Sequence, residues 1–294
     1  MPLAYKEEKM EAGMERRLNQ YSILKQIESA PYVGFTPLEK YPFLRYGFST
    51  RLGGVSRGMF ASMNLGFCRG DSDENVIENY KRLCDSLGIS PEHLIFTDQV
   101  HKTNVRVATS ADWGKGFCRE RDYAEIDGHI TNEPGVPLLV FGADCVPLFF
   151  VDPVKRAIGV AHAGWKGTVG KIGAATIKKL IAEYGCNPAD LEVVIGPSIG
   201  SCCYEVGSEV AEAVMENFLE QPEQVKARLL IAKENGKYMF DLWEANRIVL
   251  LENGVLDEHI TKSGLCTMCR QDLFFSHRAT EGKRGSMAGF LMLA

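Results

Sequence analysis

The sequence predicts a mixed α+β fold, a single domain whose mixed and antiparallel sheets carry helices on their outer faces. Three observations predict it. Short apolar runs bounded by turn residues recur along the chain, among them Val146 to Val151, Ala157 to Ala161, Leu191 to Ile195 and Met287 to Leu293. Between them stand helical periods with cap signals at their ends. The join Asp152-Pro153-Val154-Lys155-Arg156 is too short for a parallel crossover, so the runs it connects pair antiparallel.

Composition narrows the class. The chain has 294 residues, 45% hydrophobic and 24% charged, as in an ordinary globular protein. A formal net charge of −5, with no basic run, predicts neither a nucleic-acid nor a membrane-surface partner. No apolar span is long enough to cross a bilayer, and MPLAYKEEKMEAGMERR lacks the core of a signal peptide. Nine cysteines without framework spacing read as reduced thiols, which predicts a cytoplasmic protein.

In chain order, residues 1–40 read as a charged N-terminal extension, helical at first with Leu18, Ile23 and Ile27 as weak anchors. The domain proper spans 41–294. Pro42 to Phe48 is a strand that runs into Ser49-Thr50-Arg51-Leu52-Gly53-Gly54, a loop able to hold hydroxyls or an anion. Asp71 with Glu74 predicts a capping box, and Ile77, Tyr80, Leu83, Cys84 and Leu87 form the apolar face of the helix up to Gly88. Leu94 to Thr97 reads as a strand, followed by a polar loop that carries His101 and a strand through Val107. His93 reads as a surface residue, residues 111–124 as an exposed loop, and His129 as a satisfied structural histidine.

The central hairpin follows. With Val151 opposite Ala157, Val146 falls opposite His162, and Cys145 and His162 share its open end. Thr168 is the expected N-cap of a helix buried through Val169, Ile172, Thr176, Leu180 and Tyr184 and ended by Gly185. Gly196 to Tyr204 is a shaped loop at a strand end, and Asp241 with Glu244 caps a helix running to Asn253. Cys266-Thr267-Met268-Cys269 is half of a structural zinc site with no second pair at ribbon spacing. Phe274 to Arg278 and Met287 to Leu293 read as a terminal hairpin, with Arg278 able to meet an anion or, more simply, in a surface ion pair.

Three donors stand out: His101, Cys145 and His162. A thiol and an imidazole on one rigid frame are either part of a metal site or a nucleophile with its base. Two histidines and a cysteine with a vacant fourth position make a catalytic type of zinc set, and zinc there would deprotonate the thiol. Asp144 beside Cys145, and Asp98 or Gln99 near His101, are candidates to orient the imidazoles or move protons.

Gln99-Val100-His101, Ala143-Asp144-Cys145-Val146-Pro147-Leu148, Gly159 to Thr168 and Gly196 to Gly207 together resemble the YfiH/YlmD family, long labelled multicopper polyphenol oxidoreductase or laccase. The likeness runs from about Gly47 to the C-terminus. It implies phosphorolysis of adenosine, inosine, guanosine and methylthioadenosine to base and ribose 1-phosphate, and deamination of adenosine to inosine. It implies that His101, Cys145 and His162 bind zinc and carry the catalysis, and that Ser49 and Arg51 contact nucleoside or phosphate. Arg51 or Lys166 would hold the phosphate. His129 and the stretch Lys283-Arg284-Gly285-Ser286-Met287 depart from the family pattern. The oxidase label needs paired His-x-His ligands, yet none of the six histidines lies two residues from another. Copper remains a competing occupant of the trio, because affinity alone favours it over zinc.

Two other readings compete. A metal-free thiol hydrolase or amidase would use Cys145 as nucleophile and His162 as base, on a peptidoglycan precursor or similar small amide. A zinc-stabilised binding module would need a fourth ligand, with the Cys266/Cys269 pair as its source.

Overall fold

The computed structural model describes residues 15–26 and 29–294. Two six-stranded sheets lie face to face between helices. The first is antiparallel throughout, in the order Glu15–Arg17, Ser22–Lys25, Tyr32–Phe35, Leu44–Ser49, Met287–Leu293, Leu138–Gly142. The second runs Ile260–Lys262, Glu192–Ile195, Val146–Asp152, Ala157–Ala163, Gly128–Thr131, Val105–Val107, antiparallel at its centre and parallel at both edge pairs. A mixed α+β fold is what the strand and helix patterns predict.

Strand alternation sorts the core into layers. On the hairpin, Phe149, Val151, Ile158 and Val160 meet Val33, Phe35, Val140 and Leu291 of the first sheet. Leu148, Phe150 and Ala161 point the other way, onto Ile172, Ile177 and Leu180 of the helix Ile172–Tyr184 and Val249 of the helix Leu242–Glu252. The outer face of the first sheet, with Leu139, Phe290 and Met292, packs on Val76, Tyr80 and Leu83 of the helix Asp73–Leu87.

Several local expectations are corrected. Among the described residues the N-terminal segment is strand, not helix. Ile23 is buried there and Leu18 packs on the inter-sheet core, because the segment adds three strands to a sheet edge. Ile27 lies outside the described residues. Ser72, not Asp71, caps the first helix, and Ile77 is exposed on it. Leu94 to Thr97 makes only an isolated bridge at Ile95. Thr168 sits inside a short helix, Trp165–Val169, whose N-cap is Gly164; Lys171, with φ +62°, then separates it from the helix Ile172–Tyr184. Thr168 instead donates to the Ala163 carbonyl and accepts from Asn246. Phe274 to Arg278 is irregular, and Met287–Leu293 pairs with two strands distant in sequence rather than in a hairpin.

The hairpin register is shifted by one residue from the expected one: Asp152 faces Ala157 and Pro147 faces His162. Asp152 joins the ladder because its carboxylate closes the turn, accepting from the backbone N–H groups of Val154 and Lys155. The shift matters for the site. Residues directly opposite share a face, so Cys145, two residues before Pro147, falls on the same face as His162.

Candidate metal centre and active site

That shared face is the one between the two sheets, and the site forms where the layer opens at the hairpin's end. His162 is the last inward residue of its strand and is buried. Cys145 follows Asp144, which takes φ +90° where the chain turns into the strand. His101 comes from the loop before Val105–Val107 and itself takes φ +62°. The ligand atoms of His101, Cys145 and His162 lie within 4.8 Å of one another, and the two imidazole centroids are 4.7 Å apart.

The residue that assembles the trio is Asp127, fully buried. Its Oδ1 accepts from His162 Nδ1 at 2.9 Å and from the backbone N–H of His101 at 3.0 Å. Its Oδ2 accepts from the backbone N–H groups of Val100 and Lys102 at 3.1 and 2.9 Å. One carboxylate therefore orients one histidine directly and clamps the loop that presents the other. Burial alone would raise its pKa. The bonds from His162, Lys102 and Val100 outweigh burial and hold the carboxyl below its usual value. The same balance acts on His162: burial opposes its charge, but Cys145 and Asp127 lift it to about 9. His101 moves down, mainly through burial and then through the facing His162.

With Nδ1 engaged, His162 presents Nε2 to the site. This carboxylate–histidine arrangement is the usual support of a metal-ligating imidazole. The space between the donors is kept open by Gly164. A Cβ there would stand 2.7 Å from His101 Nδ1 and 3.1 Å from Cys145 Sγ. Two nitrogens, one sulfur and a cradle that a methyl group would fill suit one tetrahedral ion with a vacant position.

Other predicted residues are engaged elsewhere. The Asp144 carboxylate accepts from Thr267 Oγ1, Ser276 Oγ and the Arg278 backbone N–H, and meets neither imidazole. Asp98 pairs with Arg121, and Gln99 bonds the backbone of Phe141. Orienting the imidazoles thus falls to Asp127 rather than to these three. Ser49 is buried and accepts from the Ala288 N–H. Arg51 donates to the carbonyls of Ala61 and Gln271 and lies over Phe275. The fold brings neither to the trio. Arg278 donates to the Glu205 carbonyl and stacks over Tyr204, with no carboxylate partner among the described residues.

Two cavities, of about 770 and 420 Å³, meet at the trio and share Arg69, His101, Ala143, Cys145 and Arg284 in their walls. Arg69 has no hydrogen-bond or ion-pair partner among the described residues. Burial pushes Arg284 down to about 10, with the charge of Arg69 adding to it; its Nη1 donates to the Gly285 carbonyl and Ser286 Oγ, and its Nε is buried without a partner among the described residues. Two guanidiniums without a carboxylate partner among the described residues, beside three donors that could hold a metal, are the chemistry that binds an anion. Phe96, Phe117 and Phe141, tilted or edge-on to one another, give the larger cavity an apolar wall.

A family model described as multi-copper polyphenol oxidoreductase laccase matches residues 45–294. The chain belongs to that family, the YfiH family. It is 43% identical over 83% of its length to the purine nucleoside phosphorylase YlmD of Bacillus subtilis, covering 87% of that protein. To purine nucleoside phosphorylase YfiH of Escherichia coli it is 33% identical, over 83% of this chain and 92% of that one. The crystal structure of YlmD from Geobacillus stearothermophilus superposes with a TM-score of 0.83 at 35% identity, covering 92% of this chain and 99% of that one. The family's label names several coppers. In this YfiH-family chain the trio supplies donors for a single ion, and the other soft-donor group among the described residues is all cysteine.

No single-residue signal marked Asp127, Gly164 or Arg69. Gly164 follows the predicted strand Ala157 to Ala161 and Asp127 precedes the observed strand Gly128–Thr131, and only their closeness to other segments distinguishes them. His129 is not satisfied: both ring nitrogens are buried without a partner among the described residues, and the ring stands edge-on to Tyr123.

Proposed function

We propose that this chain is a zinc-dependent purine nucleoside phosphorylase that acts on adenosine, inosine, guanosine and methylthioadenosine and also deaminates adenosine. The observation that carries the reading is the junction of the two cavities, where a two-histidine, one-cysteine set faces two arginines that have no carboxylate partner among the described residues. The names of the relatives, purine nucleoside phosphorylase, point the same way.

Arg284 and Arg69 hold phosphate against the reacting centre as a charge-assisted clamp. A phosphate oxygen attacks C1′ of the ribose, the bond to the purine nitrogen breaks, and the base leaves with the electron pair and takes a proton. The phenylalanine wall accepts the base by stacking. His101, Cys145 and His162 hold the metal, and Asp127 fixes both histidines. When bound, zinc supplies a Lewis acid beside the reacting atoms, with copper as the competing occupant. Asp144, adjacent to Cys145, lies in the smaller cavity's wall and is the candidate to move a proton there, its carboxylate held by Ser276 and Thr267. In deamination a water adds to C6 of adenine and ammonia departs. Nine free cysteines suit a reducing, cytoplasmic setting.

The decisive experiment incubates protein of assayed metal content with inosine or adenosine and phosphate, then separates the products. Free base and ribose 1-phosphate should form with the native chain and vanish with Cys145→Ala. Inosine formed from adenosine without phosphate tests the deamination. Absence of free base from zinc-loaded protein sinks the proposal. One observation favours a second reading: Asp127 bonds His162 Nδ1 and Cys145 lies beside the same imidazole, the set a thiol hydrolase would need. Iodoacetamide labelling of Cys145 that a chelator leaves unchanged would support that reading.

A further inference from the structure

Away from both cavities, four thiols converge. Cys202 and Cys203 belong to the loop after Glu192–Ile195, and Cys266 and Cys269 to the turn after Ile260–Lys262. All four Sγ atoms lie within 4.8 Å of one another. The geometry points to a second metal site, a structural zinc held by Cys202, Cys203, Cys266 and Cys269.

Tetrahedral coordination at a zinc–sulfur distance of about 2.3 Å sets neighbouring sulfurs about 3.8 Å apart. Cys269 Sγ lies 3.5 Å from Cys202 Sγ and 3.4 Å from Cys203 Sγ. One sulfur held nearly equidistant from two others describes a shared ion better than a bond to either, since a disulfide needs about 2.05 Å and one partner only. The backbone adds a second sign. Gly200 N–H donates to Cys266 Sγ at 3.3 Å, a bond that favours the thiolate over the thiol. Each thiol that ligates gives its proton to solvent.

Four free thiols packed together, two of them exposed, are otherwise a liability to oxidation. The backbone has also prepared the place. Ser198 bridges Cys266 in parallel register, Thr267 N–H donates to the Ser198 carbonyl, and Ser198 N–H donates to the Leu265 carbonyl. The ion would close this short ladder at its end and join loops more than sixty residues apart in sequence. Both loops reach the first site: Ile199 N–H donates to the Asp144 carbonyl and Thr267 Oγ1 to its carboxylate. The cluster would therefore brace the wall of the active site without touching the substrate.

The test uses the full chain with the trio disabled, so its outcome does not depend on the proposed reaction. Zinc is counted by elemental analysis in Cys145→Ala and in Cys145→Ala/Cys203→Ser/Cys269→Ser. The first should retain about one ion per chain and the second none. Cobalt-loaded Cys145→Ala should show thiolate-to-cobalt charge-transfer absorption of a four-sulfur tetrahedral site. Should the triple variant not fold, labelling of the native protein decides: Cys202 and Cys269 should resist iodoacetamide until a strong chelator is added, then react. Immediate labelling of both in zinc-containing protein, a mass showing a disulfide among the four, iron in place of zinc, or an unchanged ion count in the triple variant would each overturn the assignment.

Discussion

Asp127→Asn tests whether one carboxylate holds both histidines. The substitution keeps the shape and removes the charge. In the native chain each oxygen of Asp127 accepts two bonds: Oδ1 from His162 Nδ1 and His101 N–H, Oδ2 from Val100 and Lys102 N–H. An asparagine must turn its NH₂ toward one of these pairs, and either choice sets a donor against two donors. If the NH₂ faces the loop, the segment carrying His101 is released. If it faces the other pair, His162 loses its orientation. Hydrogen bonds to a charged group contribute about 1.5–3 kcal/mol each, so two lost bonds bound the damage at roughly 3–6 kcal/mol before relaxation. Relaxation reduces this, and supporting carboxylates of metal-bound histidines typically contribute about 10–100-fold in metal affinity. The expected result is a zinc dissociation constant raised by about that factor, measured by competition with a chromophoric chelator. Phosphorolysis should fall in parallel. Asp98→Asn is the control, because Asp98 pairs with Arg121 and bonds no imidazole. A variant that binds zinc within about twofold of the native protein would refute the reasoning.

Three further predictions follow from single contacts. Gly164→Ala is compatible with the backbone, φ −61°, but its Cβ would stand 2.7 Å from His101 Nδ1. It should therefore abolish metal binding at the trio while the apo protein melts within a few degrees of wild type, as elemental analysis and circular dichroism would show. Arg284→Ala should raise the KM for phosphate by about tenfold or more with a smaller effect on the nucleoside KM, since a buried charge-assisted bond contributes about 1.5–3 kcal/mol; equal effects on both would remove Arg284 from the phosphate site. His129 is fully buried, and burial first, then Arg106, pushes its pKa down from 6.5 to about 3. Below 6.5 the unfolded chain takes up a proton that the folded chain refuses until about 3, so this residue makes stability fall as pH drops through that window. At about pH 5 the loss is roughly 2 kcal/mol relative to neutral pH. Urea unfolding of His129→Leu should show a flatter acid limb by that amount, and parallel limbs for the two proteins would refute it.

What could be read before the structure was whatever repeats within one element. The buried runs Val146 to Val151 and Ala157 to Ala161 carry their own period, and so does the helix closed by Gly185. His101, Cys145 and His162 were legible by type, because thiols and imidazoles at strand ends are chemically rare. The misses share a cause: each depends on a partner far along the chain. The segment Ser22–Lys25 lies in a highly charged stretch, and pairing with Glu15–Arg17 and Tyr32–Phe35 makes it a strand. The one-residue shift of the hairpin is set by a side chain, Asp152, that closes its own turn. Asp127 is an unremarked carboxylate before a glycine until three N–H groups some 26 residues upstream are brought to it. The Cys266/Cys269 pair reads as half a site for the same reason, since its other half follows a different strand. Residue type thus announces which chemistry is available, whereas the contacts that assemble the residues are made by the sheet. The candidate ligands are legible and the groups that aim them are not. Mutagenesis guided by sequence alone would accordingly probe the trio and pass over Asp127 and Gly164, on which the geometry of the trio depends.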